Sequence, residues 1–247
     1  MKRSVSIRTD LIALLVGTCV RAIYSFHIQY SLNWDEAPQV LMARQISLGQ
    51  LFPFVHFQLP YIGAVEQYPL ALFMFILGPE VFTVRLFYFL VSTLSLVIAF
   101  YLYRRILPPF WSSCALGLMA LCPPIILLCS LQSYSFGGLI LFESVVLVIA
   151  FSIRVYRHSI KWLAVFGIVN GLALYNNVLF LGILLFCSWS VYQAKSWRGM
   201  GWFAGGMFIG YFPMLLFNLR NNFISFQMLV SKYLIITQAK VNESGIF

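Results

Sequence analysis

Asp35 and Glu36 stand side by side at the end of the first apolar segment of a chain with only seven acidic residues among 247. Four of the seven (Asp35, Glu36, Glu66 and Glu80) fall between Asn33 and Glu80, the longest stretch not needed to cross a bilayer. A carboxylate held at a membrane surface can act as a base toward a hydroxyl. The local sequence favours its ionised form. Ala37 to Leu48 reads as a short amphipathic helix, with Pro38 in its first turn and Gly49 just past its end. Asp35 and Glu36 then sit at the positive end of that helix, where the dipole stabilises negative charge. Capping of the helix would use the same two residues. Acids gathered in one loop of a membrane chain point to an enzyme working at the membrane surface.

The elements that must hold this pair are membrane helices. The chain is 61% hydrophobic and 9% charged, against about 25% charged in soluble domains. This is the composition of a polytopic membrane protein. Its net charge of +9 lies in short clusters between apolar runs: Lys2, Arg3 and Arg8; Arg104 and Arg105; Arg154, Arg157 and Lys161; Lys195 and Arg198. That is the punctuation of cytoplasmic loops. A basic patch interleaved with stacking aromatics is absent, which argues against nucleic acid as a partner. The five cysteines lie in apolar segments without Cys-x-x-Cys spacing and read as small buried hydrophobes. His27, His56 and His158 share no metal-ligand spacing, so no metal site is assigned; a divalent ion would have to bind carboxylates.

An uncleaved first span is expected from about residue 11 to 32. Residues 33–83 then form an outer loop. Within it, residues 69–78 are apolar but too short to cross, and are expected to lie at the outer interface. This placement starts the next span outside at Arg85 and leaves Arg104 and Arg105 inside. Further spans follow at about 84–103, 111–129 and 136–153. Residues 162–192 must leave and return, turning at Asn176-Asn177. A last span, 201–217, delivers Asn218 and Arg220 to the outer face. The expected fold class is all-α: a polytopic transmembrane helical bundle of about seven spans, forming one membrane module over residues 1–247. The Gly137-Gly138 and Gly205-Gly206 pairs, with Gly210, suit close helix packing. Arg21 and Glu143 fall inside spans, where ionisable groups are functional suspects; pairing with each other is the other reading.

The order of motifs resembles a known family. A span leads into Trp34-Asp35-Glu36-Ala37 and a helix through Ala43-Arg44. Leu59-Pro60-Tyr61-Ile62-Gly63-Ala64-Val65-Glu66 follows, then a short apolar helix ending at Gly78, and Phe82-Thr83-Val84-Arg85-Leu86 opens the next span. Gly171-Leu172-Ala173 and Gly210-Tyr211-Phe212-Pro213, leading to Phe217-Asn218, continue the match. This resembles the N-terminal module of the GT-C glycosyltransferases, in the branch of protein O-mannosyltransferases, aminoarabinose transferases and other users of polyprenyl-phosphate sugars. Members of that family are usually longer, with further spans and often an outer C-terminal domain, so a truncated C-terminus is expected here. The loop after the third span often carries a charged residue beside a Tyr; here it reads Ser130-Leu131-Gln132-Ser133-Tyr134.

The resemblance implies sugar transfer, with inversion, from a polyprenyl-phosphate donor to an acceptor hydroxyl on a glycan, lipid or protein. The active site would face the periplasm or exterior of a bacterial inner membrane. No cofactor beyond the lipid-linked donor is implied. Asp35 matches the family's catalytic acid position and is the expected base, with Glu36 as second candidate or orienting partner. The departing lipid phosphate calls for a cation. Arg85 matches the family's Arg, although an interfacial snorkelling Arg would look the same, and Arg44 is a second candidate. Glu66, Gln132, Tyr134, Asn176 and Arg220 are candidate cavity-lining residues. A transporter or flippase accounts for the spans and the intramembrane charges but not for acids in one loop. A catalytically incomplete module that only binds lipid is the remaining alternative.

Overall fold

The computed structural model describes residues 2–28, 31–57, 59–132, 143–150, 152 and 160–231, without the side chains of residues 2–7, 28, 160, 195 and 196. Tyr134, Gly137-Gly138, Arg154, Arg157, His158 and half of the expected fourth span lie outside the described residues.

Among the described residues the fold is all-helical, and an isolated antiparallel bridge between Val55 and Gly63 is the sole extended pairing. Helix α1 (Lys2–Ile23) runs on through a π-helical turn, Tyr24–Ile28. Helices α2 (Ala37–Ser47) and α3 (Gln67–Leu77) lie in the loop before α4 (Val81–Ile106). Gly49 and Gly78, at φ 69° and 92°, turn the chain after α2 and α3 in a backbone region that side chains disfavour. Then come α5 (Pro109–Ala120), α6 (Pro124–Ser130), a helical stretch at residues 143–150, α7 (Ile160–Asn176) and α8 (Leu181–Arg220).

Among the described residues, three helical lengths are long and apolar enough to cross a bilayer: Arg8–His27, Val81–Ile106 and Trp197–Arg220. The α5–α6 pair makes a fourth if a span bent by 75° is counted. This describes a helical membrane protein. About seven spans were expected; part of that chain lies outside the described residues, and two physical features shorten the helices within them. Pro123-Pro124 breaks the third span into two short helices. The segment around Asn176-Asn177 gives two apolar helices of at most 17 residues, each ~25 Å long at ~1.5 Å per residue and short of a ~30 Å core. Helix α3, at 11 residues, is ~17 Å long and does not cross. Its Leu72, Phe75, Ile76 and Leu77 are exposed while Leu70, Ala71 and Met74 bury against α2 and α4.

Helix α8 cannot be straight. Leu181 follows Asn176 by five residues, yet Tyr211 packs on Gly171. Thirty helical residues span ~45 Å; the path from Leu181 back to Gly171 spans less than ~30 Å. The chain therefore folds back between its two lengths, Val178–Ala194 and Trp197–Arg220. The second length runs parallel to α7, Ala164 meeting Gly206 and Ile168 meeting Gly210. Gly167-x-x-x-Gly171 and Gly206-x-x-x-Gly210 interlock, each glycine lying against the partner's backbone. A Cβ on Gly206 would collide with the Ala164 carbonyl, whereas one on Gly205 meets nothing within 4 Å. The expected result is opposite signs for neighbouring substitutions. Gly206→Ala lowers the thermal midpoint in detergent by driving the helices apart, and Gly205→Ala is neutral or stabilising by up to ~1 kcal/mol from helix propensity.

The bundle has two chemically distinct ends. At one, Asp10 of α1 is buried, accepts from the Ser113 hydroxyl and lies 3.5 Å from Arg104 Nε. Nineteen residues along α4, or ~28 Å away, Arg85 marks the other end. The 51–65 loop closes over that second end. Gly63 N–H donates to the Tyr175 carbonyl at 2.9 Å, and the Ser225 hydroxyl to the Pro60 carbonyl at 2.6 Å.

Candidate functional site

Glu36 and Arg85 form an ion pair with both side chains 0% exposed. Arg85 Nη1 donates to Glu36 Oε1 at 2.7 Å, and Nη2 to Oε2 at 2.8 Å, the two-pronged geometry available to a guanidinium. The remaining prongs reach backbone: Nη2 to the Ser31 carbonyl at 2.6 Å and Nη1 to the Leu131 carbonyl at 3.3 Å. One side chain of α4 thus ties together the exit from α1, the start of α2 and the end of α6. Four of its five N–H groups are committed, and Nε is buried without a hydrogen-bond partner.

The Arg85 guanidinium is thus enclosed by a carboxylate and two carbonyls. The Glu36 carboxylate is enclosed with it.

The local sequence explains why Glu36 turns inward. Its Oε2 accepts from Asn33 N–H at 3.0 Å, while Asn33 Oδ1 accepts from Glu36 N–H at 2.9 Å. This is the reciprocal arrangement of a capping box, Asn-x-x-Glu, on the turn that leads into α2, closed by Ala37 N–H on the Asn33 carbonyl. The box turns Glu36 into the bundle and leaves Asp35, one residue earlier, exposed. Asp35 stands beside the positive end of α2, exposed to solvent.

Every described candidate falls at this end of the bundle, but they are not one constellation. Arg44 is exposed on α2, two turns beyond Glu36. Glu66 is buried at the start of α3. Gln132 is buried directly after Leu131. Asn176, at the last turn of α7, is 1% exposed, and neither polar atom of its amide has a hydrogen-bond partner. Arg220 is exposed in the last turn of α8, where a cation also suits the helix dipole. Tyr134 lies outside the described residues. A cavity of about 260 Å³ lies at the opposite end, against Arg105.

Two features at the site were not read from sequence. Gln67 Nε2 donates to Gln39 Oε1 at 3.1 Å, a buried amide pair that pins α3 to α2 one turn from Glu36. His56 is buried in the 51–65 loop, and desolvation pushes its pKa down, so it is neutral at pH 7. The Asn-x-x-Glu spacing was the available signal for the box; the glutamines carry none, because nothing in the sequence indicates which faces of two short helices meet.

The intramembrane Arg21 does not pair with Glu143. It donates to Ser92 Oγ at 3.0 Å and to the carbonyls of Gly17, Ala120 and Met119 at 3.1, 3.1 and 3.2 Å. The cysteines are free, and the expectation that they are buried holds for Cys187 alone; Cys19 and Cys114 lie on exposed apolar helix faces. Among the described residues no three His, Cys, Asp or Glu side chains group as metal ligands. Compared with known proteins, the chain matches no family model, no curated protein and no solved structure.

Proposed function

We propose that the chain is a membrane glycosyltransferase of GT-C type that moves a sugar from a polyprenyl-phosphate donor to an acceptor hydroxyl, with inversion. The observation that carries this reading is an exposed carboxylate, Asp35, standing next to a buried ion pair that fixes its backbone at one end of a membrane helix bundle. Asp35 takes the proton of the acceptor hydroxyl. The acceptor oxygen forms a bond to the anomeric carbon from the face opposite the donor phosphate. The bond from that carbon to the phosphate oxygen breaks, and the lipid phosphate leaves with the electron pair. Arg85 and Glu36 hold Asp35 in place and take no part in the transfer. The cation facing the departing phosphate is then Arg44 or Arg220, both exposed at the same end.

A transporter reading drew on Arg21 and Glu143. Arg21 is occupied by backbone carbonyls and a serine hydroxyl, which takes away one of its two supports.

The test is transfer by the purified protein in lipid nanodiscs supplied with a polyprenyl-phosphate sugar. Asp35→Asn is expected to lower transfer by about 10²- to 10⁴-fold, the range of a general base, while the exposed site leaves the melting temperature unchanged. Full activity of Asp35→Asn overturns the base assignment. A labelled solute crossing liposomes with no donor consumed overturns the whole reading in favour of transport.

A further inference from the structure

At the end of the bundle opposite Asp35 there is a cavity of about 260 Å³ between α4 and the helical stretch around Val148. Ile98, Tyr101, Leu102 and Arg105 line it from α4, at the three- and four-residue spacing that puts side chains on one helix face; Val148 and Ser152 line it from the other side. The walls are apolar along the length of α4. The lining residues that carry polar groups are Tyr101, Arg105 and Ser152.

Arg105 lies in the last turn of α4. It is 20 residues from Arg85, or ~30 Å along the helix axis, and so at the far edge of the apolar span. The adjacent arginine serves a different purpose. Arg104 lies 3.5 Å from the buried Asp10 and over the Phe100 ring, 5.4 Å from its centroid. Arg105 is turned outward and exposed, with Tyr101 also exposed one turn earlier. The groove is too small for a partner helix, and a free anion would leave its apolar walls unused. A chain with sixteen basic and seven acidic residues also favours an anionic occupant. Basic pockets between membrane helices on the Lys/Arg-rich side are characteristic sites for anionic lipid headgroups.

We propose that this groove is a binding site for an anionic phospholipid. One acyl chain lies against Ile98, Leu102 and Val148, and the phosphate sits on Arg105 with Ser152 beside it. The site is separate from the Asp35 end and does not depend on the glycosyltransferase reading.

The experiment is native mass spectrometry of the detergent-solubilised full chain, titrated with phosphatidylglycerol or with phosphatidylcholine of the same acyl chains. One saturable phosphatidylglycerol adduct is expected, about fivefold tighter than phosphatidylcholine, the contribution of a single arginine near a headgroup. Arg105→Gln is expected to erase that preference. Arg198→Gln, which removes an exposed arginine of α8, is expected to keep it. Ile98→Trp, which fills the groove, should weaken both lipids alike. The proposal is overturned if Arg105→Gln retains the preference. It is also overturned if millimolar inorganic phosphate displaces the lipid while Ile98→Trp has no effect, since the site would then bind the anion without the chain.

Discussion

Arg85→Met is expected to cost about 3–5 kcal/mol, the usual price of leaving one partner of a buried ion pair behind. Whole-domain stabilities are only about 5–15 kcal/mol, so the variant should express poorly or melt far below the parent in detergent. The reason lies in what remains. Glu36 keeps its hydrogen bond from Asn33 N–H but loses two charge-assisted bonds at 2.7 and 2.8 Å, with its side chain still 0% exposed. The Ser31 and Leu131 carbonyls lose their donor as well. Lysine does not substitute, because a single ammonium cannot serve two carboxylate oxygens and two carbonyls from one point. The informative comparison is the double variant Glu36→Leu with Arg85→Met. It removes both charges together and is expected to recover much of the lost stability, since replacing a buried pair by apolar groups of similar volume is often neutral. Transfer should not recover with it, because Asn33 loses its reciprocal partner and Asp35 is no longer held. Thermal melts of the four species give the coupling free energy. A coupling near zero, or an Arg85→Met chain that melts like the parent, overturns the positioning role.

How far the sequence exposed this arrangement depends on whether the signal was local. Helix α2 was legible because Pro38 and Gly49 bracket it, and α3 because ten apolar residues ending at Gly78 are too few to cross. The turn at Asn176-Asn177 was legible from length alone. Asn177 Oδ1 in fact accepts from Leu179 N–H at 2.9 Å, a cap that starts the next helical turn. The Arg85–Glu36 pair was not legible, although both residues were singled out. Forty-nine positions separate them, and sequence gives the charge of a side chain but not the direction it faces. An arginine at the start of a span reads equally as an interfacial anchor, a phosphate ligand or half of a buried pair; the choice is made by the Asn33 box, which turns Glu36 rather than Asp35 inward. The break in the third expected span was hidden for a related reason. Hydropathy measures how apolar a run is and is blind to whether Pro123-Pro124 lets it continue as one helix.

Arg21→Met is expected to destabilise the chain strongly, and only as long as Pro123 and Pro124 are present. In a helix the N–H of each residue bonds the carbonyl four positions earlier. Residues 123 and 124 would serve Met119 and Ala120, and proline has no N–H to give. Those two carbonyls are the ones Arg21 reaches, Nη2 to Met119 at 3.2 Å and Nη1 to Ala120 at 3.1 Å. The arginine of α1 therefore replaces the two donors that the prolines of the next helix removed, and the negative end of α5 replaces the carboxylate such a buried cation would otherwise need. Its Nε continues the link through Ser92 Oγ, 3.0 Å from Ser130 Oγ at the end of α6. The residue after Ser130 is Leu131, whose carbonyl Arg85 holds. Without Arg21, two carbonyls are stranded away from water at ~1–3 kcal/mol each, a loss of roughly 2–6 kcal/mol in a thermal melt. Restoring the donors by Pro123→Ala with Pro124→Ala should make Arg21→Met far less costly, because the backbone then satisfies itself. The same double alanine variant should straighten the 75° bend, draw Leu131 away from Arg85 and reduce transfer even in a chain that melts well. Equal destabilisation by Arg21→Met in both backgrounds would show that Arg21 serves something other than the break. A proline-free chain with full transfer would show that the bend does not set the Arg85 end.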